Sequence, residues 1–181
     1  IWDSVDNISL LFREARKHNR SIIRRIVGLF ELIRMPVIEK KIAETVDYTA
    51  VTSEKDKAAF INEGLNGTAI NVIPNGIDID YFTPADTPAE NKSIIITGKM
   101  SYHANINMAL KMIEEIMPYV WKRVPDAQLK IAGKDPSREI LRYSDDPRII
   151  ITGPVDNMAE EINSATIAVA PLKYAVGIQN K

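Results

Sequence analysis

The second half of the chain repeats a strand followed by a helix. Four short runs of β-branched or apolar residues are separated by stretches with helical spacing, and we predict that each run is a strand. The runs cover residues 93–97, 127–132, 148–152 and 166–170. Strands that alternate with helices through short links predict an α/β fold with a doubly wound parallel sheet.

Apolar spacing also places the helices of this half. We expect Asn105 to cap a long helix whose apolar positions, from Ile106 to Trp121, face the sheet. Shorter helices are expected over residues 136–143 and 157–164.

The first part of the chain is mostly helical. Isoleucine, valine and phenylalanine recur at helical spacing from Ile22 to Ile33, and this stripe continues to Val46. Because proline has no N–H, Pro36 should kink or divide the helix near Met35. Six basic residues lie just before and within the stripe: Arg13, Arg16, Lys17, Arg20, Arg24 and Arg25.

This combination of basic and apolar residues has two interpretations. It is typical of a helix that lies at a membrane surface and is attracted to anionic lipid, which would make the protein peripheral at the inner face of the cell membrane. A stripe that faces the protein core, beside a solvated basic edge, is the simpler interpretation and the one we favour. His18 lies in the same stretch and is expected on the surface.

Two short strands complete the first part. Residues 47–52 and 69–73 favour strands by their composition. Between them, Ser53 is a suitable N-cap for a helix that runs to about Asn62.

A turn separates the two parts of the chain. The sequence Pro74-Asn75-Gly76 favours a tight turn, and the residues after it are rich in Pro, Asp, Thr and Ala. We predict a first domain portion over residues 1–74, an interdomain linker over 75–91, and a second, incomplete domain over 92–181. The pair Tyr81-Phe82 should anchor the linker to one of its neighbours.

Composition removes several function classes. The net charge of −1 gives no overall attraction to nucleic acid, and the absence of cysteine excludes disulfides and thiolate chemistry. No apolar run approaches the ~18 residues that span a bilayer. His18 and His103 lie far apart without clustered carboxylates, so we expect no metal site. These features fit a cytoplasmic protein.

Glycines follow the first three predicted strands. Open parallel sheets bind ligands at the carboxyl ends of their strands, where Gly98, Gly133 and Gly153 lie. Glycine lets a ligand approach the backbone at Gly98, and Lys99 beside it supplies a charge for an anion such as phosphate. A single glycine turn beside a solvated lysine is common in proteins. Three glycines at the ends of neighbouring strands favour an edge of the sheet that is open to a ligand. The chain has no G-x-G-x-x-G dinucleotide motif and no P-loop.

Two further segments near this edge are candidates. The polar loop from Pro171 to Lys181 would lead into a helix whose amino terminus holds a phosphate, and a disordered tail is the alternative. His103 lies beside this candidate site in the sequence and is therefore a candidate substrate contact. A loop histidine without such a role is the more common case.

Several of these segments follow one another in a recognisable order. They are residues 51–56, 72–78, 81–84, 98–105, 129–133, 151–155 and 171–181. The chain resembles, through these segments, the retaining GT-B-fold glycosyltransferases of family 4, within glycosyltransferase group 1 and of the bacterial polysaccharide type. The segment Val72-Ile73-Pro74-Asn75-Gly76-Ile77-Asp78 is the most specific match.

The resemblance implies a fold of two facing Rossmann-like domains and the transfer of a sugar, with retention, from a nucleotide-sugar donor to an acceptor hydroxyl. It implies a glycan or lipid-linked acceptor in cell-surface polysaccharide or glycolipid synthesis, and no metal or other cofactor. The donor phosphates and sugar would lie near Gly98, Lys99, Gly177, Ile178, Gln179, Asn180 and Lys181. The base would lie near Gly153, Pro154 and Val155.

Two departures from the family pattern concern its Glu-x7-Glu motif. The first acidic residue would fall near Val176, and the second would lie beyond Lys181. We therefore expect a fragment whose catalytic residues lie beyond Lys181 and in a missing N-terminal part, and which transfers no sugar alone. A GT-B-fold sugar-nucleotide epimerase and a non-catalytic nucleotide-binding α/β module are the alternatives.

Overall fold

The computed structural model describes residues 1–18, 22–86, 89 and 91–172. Within this range the chain forms two compact units, one from Ile1 to Gly76 and the other from Ile77 to Leu172. Both are built on parallel sheets with helices, which confirms the predicted α/β class.

The first unit has a three-stranded parallel sheet in the order β1-β2-β3. Its strands are β1 (Trp2–Val5), β2 (Thr49–Val51) and β3 (Ile70–Val72), and a 3₁₀ turn over Gly67–Ala69 precedes the last. Its helices are α1 (Ile8–His18), α2 (Ile22–Ala43) and α3 (Glu54–Asn62). Beneath the sheet Phe60 is fully buried and meets the ring of Trp2 edge to face, with centroids 5.6 Å apart.

Local sequence explains where α3 begins. Ser53 has extended backbone and its Oγ accepts a hydrogen bond from the N–H of Asp56 at 3.2 Å, as an N-cap residue does. The predicted cap is confirmed, and the helix ends at Asn62 as expected.

Two expectations for α2 are wrong. Of the predicted kink or division at Pro36, the division does not occur, because the helix continues to Ala43. The described side chains of its apolar stripe do not face the core either: Phe30 is 64% exposed and Ile33 is 68% exposed.

The buried side of α2 is determined by its contact with α1. Glu39 is 1% exposed, and its carboxylate accepts hydrogen bonds from the N–H groups of Ile8 and Ser9 at 2.7 and 3.2 Å. Gly28 is buried where a Cβ would lie 3.8 Å from the Cβ of Arg16. The carboxylate thus satisfies donors at the first turn of α1, and the side of α2 that carries Glu39 is the buried one.

The second unit has a four-stranded parallel sheet in the order β6-β5-β4-β7. Its strands are β4 (Ser93–Thr97), β5 (Gln128–Ala132), β6 (Ile149–Gly153) and β7 (Ile167–Ala168). Helices α4 (His103–Lys111), α5 (Met117–Trp121), α6 (Arg138–Leu141) and α7 (Met158–Asn163) connect them. All four predicted strands are present, and α6 is shorter than predicted.

The core of this unit lies between the sheet and the helical segment from His103 to Trp121. Fully buried members include Ile96, Met108, Met117, Leu129 and Ile131. A π-helical stretch, Met112–Ile116, joins α4 to α5. Pro118 follows it and has no N–H for the carbonyl four residues earlier, which is a local reason for the widened turn.

Asn105 does not cap the long helix, contrary to the prediction. The N-cap residue is Tyr102, and Asn105 lies in the first turn with 4% of its surface exposed. Its Nδ2 donates a hydrogen bond to the backbone carbonyl of Lys99 at 3.0 Å, so the side chain holds the preceding loop.

Residues 81–83 attach to α7. The hydroxyl of Tyr81 donates to Oδ1 of Asn157 at 2.9 Å and accepts from the N–H of Met158 at 3.0 Å. Nδ2 of Asn163 donates to the carbonyl of Thr83 at 2.9 Å.

Candidate functional site

The strand order of the second unit creates a topological switch point beside β4. After β4 the chain adds β5 and then β6 on one side, and β7 lies on the other side of β4. The connection from β4 runs to β5 on one side, whereas the connection from β6 crosses over to place β7 on the other side of β4. A crevice is expected outside the carboxyl ends of β4 and β7, where the strand order reverses. Gly98 and Lys99 follow directly after β4.

The loop after β4 packs against the loop after β5 through backbone atoms. Gly133 has φ +137°, and a Cβ there would lie 1.9 Å from the carbonyl oxygen of Gly98. Gly98 has φ +149°, and a Cβ there would lie 2.6 Å from Nδ2 of Asn105. The two positions therefore require glycine for two reasons, the positive φ and the close approach of neighbouring atoms.

Hydrogen bonds hold this loop on both sides of Lys99. The N–H of Gly98 donates to the carbonyl of Ala132 at 3.0 Å, and the N–H of Met100 donates to the carbonyl of Lys134 at 2.8 Å. With the bond from Asn105 to the carbonyl of Lys99, three contacts fix the backbone while the lysine side chain stays 57% exposed. The backbone of Lys99 is thus preorganised at the switch point, and its ammonium group is accessible.

Asp135 is the acidic neighbour of Lys99. Its Oδ2 lies 3.8 Å from Nζ of Lys99, and its side chain is 59% exposed. Ion pairs between exposed groups contribute little, typically ~0–1 kcal/mol, so an anion with several oxygens can compete for this lysine. Asp135 also has φ +57°, a backbone conformation that Asp adopts more readily than most residues.

His103 is the first residue of α4 and is half-buried. Its ring meets that of Tyr102 edge to face, with centroids 4.4 Å apart and an interplanar angle of 75°. The structure therefore places His103 four residues after Lys99, at the helix that begins beside the switch point.

The predicted base-binding residues lie at the end of β6. The carbonyl of Gly153 accepts a hydrogen bond from the N–H of Gly133 at 3.0 Å, which joins the β5 and β6 loops. Pro154 is exposed and Val155 is half-buried. Because β5 separates β6 from β4, Gly153 lies on the same edge as Gly98 at a distance of two strand spacings, ~10 Å.

The remaining predicted donor residues lie outside the described part of the chain. They are Gly177, Ile178, Gln179, Asn180 and Lys181, and Val176 lies there too. The described chain ends at Leu172, shortly after β7.

Sequence reasoning missed the roles of Asn105 and Asp135. The spacing of Asn105 suggested a cap, and an amide side chain that serves a cap can also bind a nearby carbonyl. Asp135 follows Gly133-Lys134 directly. Because Asp tolerates a positive φ in turns, an Asp just after a glycine turn was the sequence feature that could have predicted its conformation.

A second group of polar side chains lies in the first unit, where β1 and β2 end. Oδ1 of Asp56, a buried carboxylate, accepts the N–H of Asn7 at 3.0 Å, and Nδ2 of Asn7 donates to Oε2 of Glu63 at 3.1 Å. Burial and then the charge of Asp56 raise the pKa of Asp6, which a hydrogen bond from Thr52 partly offsets.

Burial likewise raises the pKa of Glu63. The hydrogen bond from Asn7 and the charge of Arg13 act in the opposite direction, and the charge of Glu39 adds to the increase. These carboxylates hold the start of α1 against α3. Among residues 1–18, 22–86, 89 and 91–172, no group of His, Asp or Glu side chains is arranged to hold a metal ion.

Comparison with known proteins gives a family match for the second half of the chain. Residues 91–181 match the family model described as glycosyl transferases group 1. One component of the human phosphatidylinositol N-acetylglucosaminyltransferase is 24% identical over 122 residues, which are 64% of this chain and 24% of that component. The chain thus spans about a quarter of the length of the curated relative it matches.

Solved structures show a similar fold at low identity. TarM superposes with a TM-score of 0.63 at 14% identity, covering 78% of this chain and 28% of TarM. A variant of S. aureus TarM in complex with fondaparinux, alpha-GlcNAc-glycerol and UDP gives 0.55 at 13% identity, covering 70% and 25%. HepE of Anabaena in complex with UDP and glucose gives 0.51 at 14% identity, covering 68% and 37%. At these identities the similarity establishes the α/β fold with parallel sheets.

Proposed function

The chain belongs to the glycosyl transferases group 1 family, and from this premise we propose that it is part of a retaining transferase that uses a nucleotide-sugar donor. Its second unit holds the donor, and the acceptor is a hydroxyl of a glycan or lipid-linked glycan in cell-surface polysaccharide or glycolipid synthesis. The division into an acceptor-side part over 1–74, a linker over 75–91 and a donor domain over 92–181 is part of this proposal.

One observation carries the proposal: the preorganised glycine loop lies at the switch point of the sheet. Its backbone is fixed by bonds to Ala132, Lys134 and Asn105, so a ligand meets a loop that needs no ordering on binding. Gly98 presents no side chain, and Lys99 projects an accessible ammonium group beside it. This combination suits a diphosphate, which needs close backbone approach and positive charge.

The predicted residues take the following roles in the proposal. Lys99 and Lys181 bind the diphosphate, Gly153 to Val155 border the base, and Gly177 to Asn180 border the sugar and phosphate. His103, at the start of α4, is a candidate substrate contact.

The proposed chemistry exchanges one bond at the anomeric carbon for another. The bond between that carbon and the diphosphate oxygen breaks, and a bond to the acceptor oxygen forms on the same face of the sugar. The acceptor proton leaves with the nucleoside diphosphate. Positive side chains near the diphosphate stabilise the negative charge that develops on it as it departs, so Lys99 lowers the barrier as well as binding the donor.

Three relatives support the proposed partners. HepE is solved with UDP and glucose, and the TarM variant is solved with UDP and fondaparinux. The human relative carries phosphatidylinositol, a membrane lipid, in its name. These names support UDP as the first nucleotide to test, and both glycan and lipid-linked acceptors.

Calorimetric titration of the chain with UDP tests the donor site. The matched pair of variants is Lys99→Gln and Lys92→Gln, because Lys92 is a similarly exposed lysine before the amino end of the same strand, paired with Asp126 at 2.7 Å. We expect Lys99→Gln to weaken UDP binding about tenfold, the loss of ~1.4 kcal/mol, and Lys92→Gln to leave it unchanged. No UDP binding, or equal loss in both variants, would contradict the proposed site.

A further inference from the structure

Two lysine–aspartate pairs lie at opposite ends of β4 and β5. Lys92 and Asp126 precede these strands, and their charged atoms are 2.7 Å apart. Lys99 and Asp135 follow the same strands, and their charged atoms are 3.8 Å apart. All four side chains are 57–64% exposed. The pairs therefore share residue types, strands and exposure, and they differ in the separation of the charges and in the end of the sheet they occupy.

The separation of the charges decides which pair is open to a ligand. At 2.7 Å Nζ of Lys92 donates a hydrogen bond to Asp126, and this bond is the largest cause of the lowered pKa of that carboxyl. At 3.8 Å Nζ of Lys99 is beyond hydrogen-bonding distance of Asp135. Because an ammonium group has three donors, Lys99 can bind an anion while Asp135 stays in place.

The backbone of Asp135 is held close to Lys99. Its φ of +57° is uncommon for a residue other than glycine, and the following Pro136 restricts its backbone further. The carbonyl of Lys134, immediately before it, accepts the N–H of Met100, the residue after Lys99, at 2.8 Å. The two loops are thus joined one residue from each charged side chain. An anion that binds Lys99 therefore meets a carboxylate whose backbone cannot move away without breaking this contact.

A phosphate bound to Lys99 brings its negative charge near this carboxylate. A phosphate oxygen that accepts a hydrogen bond from Nζ lies ~2.9 Å from it, and so at most ~7 Å from Oδ2 of Asp135. This distance is shorter than the Debye length of ~8 Å at physiological ionic strength, so salt screens the repulsion only in part. Asp135 therefore opposes each negative charge that Lys99 attracts.

A nucleotide-sugar donor and its product differ in charge at the outer phosphate. In the donor this phosphate is esterified to the sugar and carries one negative charge. After transfer it is the terminus of a nucleoside diphosphate and carries about −1.5 to −2 at pH 7, because its second proton is lost near pH ~6. The added charge is only partly developed in the transition state and is complete in the product. The repulsion from Asp135 therefore acts most strongly on the product.

We propose that Asp135 distinguishes the spent nucleotide from the donor. Its carboxylate lowers the affinity of the site for the nucleoside diphosphate more than for the nucleotide sugar, and so it favours release of the product. This role rests on the proposed function, since Lys99 is taken there as the diphosphate contact. Asp135 acts on selectivity alone and takes no part in making or breaking a bond.

Calorimetric titration of the chain with two uridine nucleotides tests the role of Asp135. The probes are UDP and its β-methyl ester, which carries the charge of a donor and contains no sugar. The titrations are made at pH 8, where the terminal phosphate of UDP is ionised, and they give the ratio of the Kd of UDP to the Kd of the ester. Asp135→Asn should lower this ratio about threefold, the effect of one unit charge ~7 Å away at the dielectric constant of water.

Asp126→Asn is the matched control, because it removes the same charge from the pair at the amino ends of the strands. We expect an unchanged ratio there, since the five residues of β4 separate the two pairs by ~17 Å. Asp135→Gly is a second test variant, because glycine adopts a positive φ without strain and also removes the charge. It should lower the ratio as Asp135→Asn does, which keeps the test decisive if one variant does not fold.

Four results would overturn the proposal. They are an unchanged ratio in both Asp135 variants, an equal fall of the ratio in Asp126→Asn, weaker binding of both nucleotides to the Asp135 variants, or no binding of the ester to a wild-type chain that binds UDP. The third result would show that the carboxylate accepts hydrogen bonds from ligand hydroxyl groups. If UDP binds and Lys99→Gln weakens that binding, these results leave the proposed function standing. Absence of UDP binding would contradict the proposed function itself, and the role of Asp135 with it.

Discussion

Two glycines in backbone contact shape the loop that follows β4. At Gly133 an added Cβ would lie 1.9 Å from the carbonyl oxygen of Gly98. This oxygen belongs to the backbone, so it cannot move aside as the end of a flexible side chain would. Only a movement of one loop against the other would relieve the contact. The geometry of the candidate donor site therefore depends on a residue that would not itself touch a ligand.

Gly133→Ala should destabilise the second unit by about 3 kcal/mol or more, because the clash adds to the strain of a positive φ. The matched control is Gly153→Ala in the same unit, where φ is also positive (+69°) but an added Cβ meets nothing within 4 Å. Urea unfolding monitored by Trp121 fluorescence measures the effect, since the chain has two tryptophans and Trp2→Phe removes the other. An unfolding midpoint equal to that of Gly153→Ala would contradict this account of the loop.

Asn105 shows why single residues are hard to assign from sequence. Its position before an apolar helical run favoured a capping role, yet the chain places it inside the first turn of α4. There its amide reaches back to the carbonyl of Lys99. Both roles use the same hydrogen-bonding groups, and which one is realised depends on where the helix starts in three dimensions.

At the scale of elements, the stretch from Tyr81 to Thr83 depends on side-chain contacts for its attachment. The hydroxyl of Tyr81 contacts Asn157 and Met158, the cap and first residue of α7. Asn157 also accepts hydrogen bonds from the amides of Ala159 and Glu160, so the tyrosine joins an existing cap. The contact links the turn that contains Tyr81 to the start of a helix more than 70 residues away in sequence.

Tyr81→Phe removes only the hydroxyl and should cost the second unit about 1 kcal/mol, the usual contribution of such a hydrogen bond. Tyr119→Phe is the control, since that tyrosine lies exposed on α5 and its ring contacts Lys122. Thermal unfolding of the three proteins gives the comparison. A loss no larger than that of Tyr119→Phe would show that the hydroxyl does not hold the segment.

Elements were predicted well where a local signal defines them. Ser53 caps α3 because its hydroxyl accepts a hydrogen bond from an amide three residues away. Strands β4 to β6 coincide with β-branched runs that are bounded by glycine or turn residues. The face of α2 was predicted wrongly because spacing shows that a helix has an apolar side and does not show what covers it. The contact of Glu39 with α1 decided that, over about 30 residues of sequence.

At the scale of the whole molecule, the two units should respond to pH in opposite directions. In the first, burial raises the pKa of Asp6 and Glu63. In the second, hydrogen bonds from Lys92 and Arg148 lower the pKa of Asp126 and Asp146. A raised carboxyl pKa gives stability that is present below the unfolded value and is lost as pH rises through the folded one. A lowered pKa gives stability that is lost as pH falls through the folded value.

Glu63→Gln should therefore stabilise the first unit more at pH 7 than at pH 4, because the variant removes a buried charge that forms only as pH rises above the ordinary value of 4.5. Glutamine keeps an oxygen that can accept from Asn7. Asp47→Asn, an exposed carboxylate of the same unit, is the control. Urea unfolding followed by Trp2 fluorescence in a Trp121→Phe background measures both, and an equal effect of Glu63→Gln at the two pH values would contradict the prediction.

The sequence by itself determined the strands of the second unit, the cap of α3 and the glycine loops, because each depends on groups within a few residues of one another. It also indicated the edge of the sheet at which a ligand would bind. Only the tertiary structure decided the order β6-β5-β4-β7, the contact between Gly98 and Gly133, and the exposure of Phe30 and Ile33 on α2. These features join residues far apart in the chain, and their energies depend on which buried polar groups find partners, which no local pattern records.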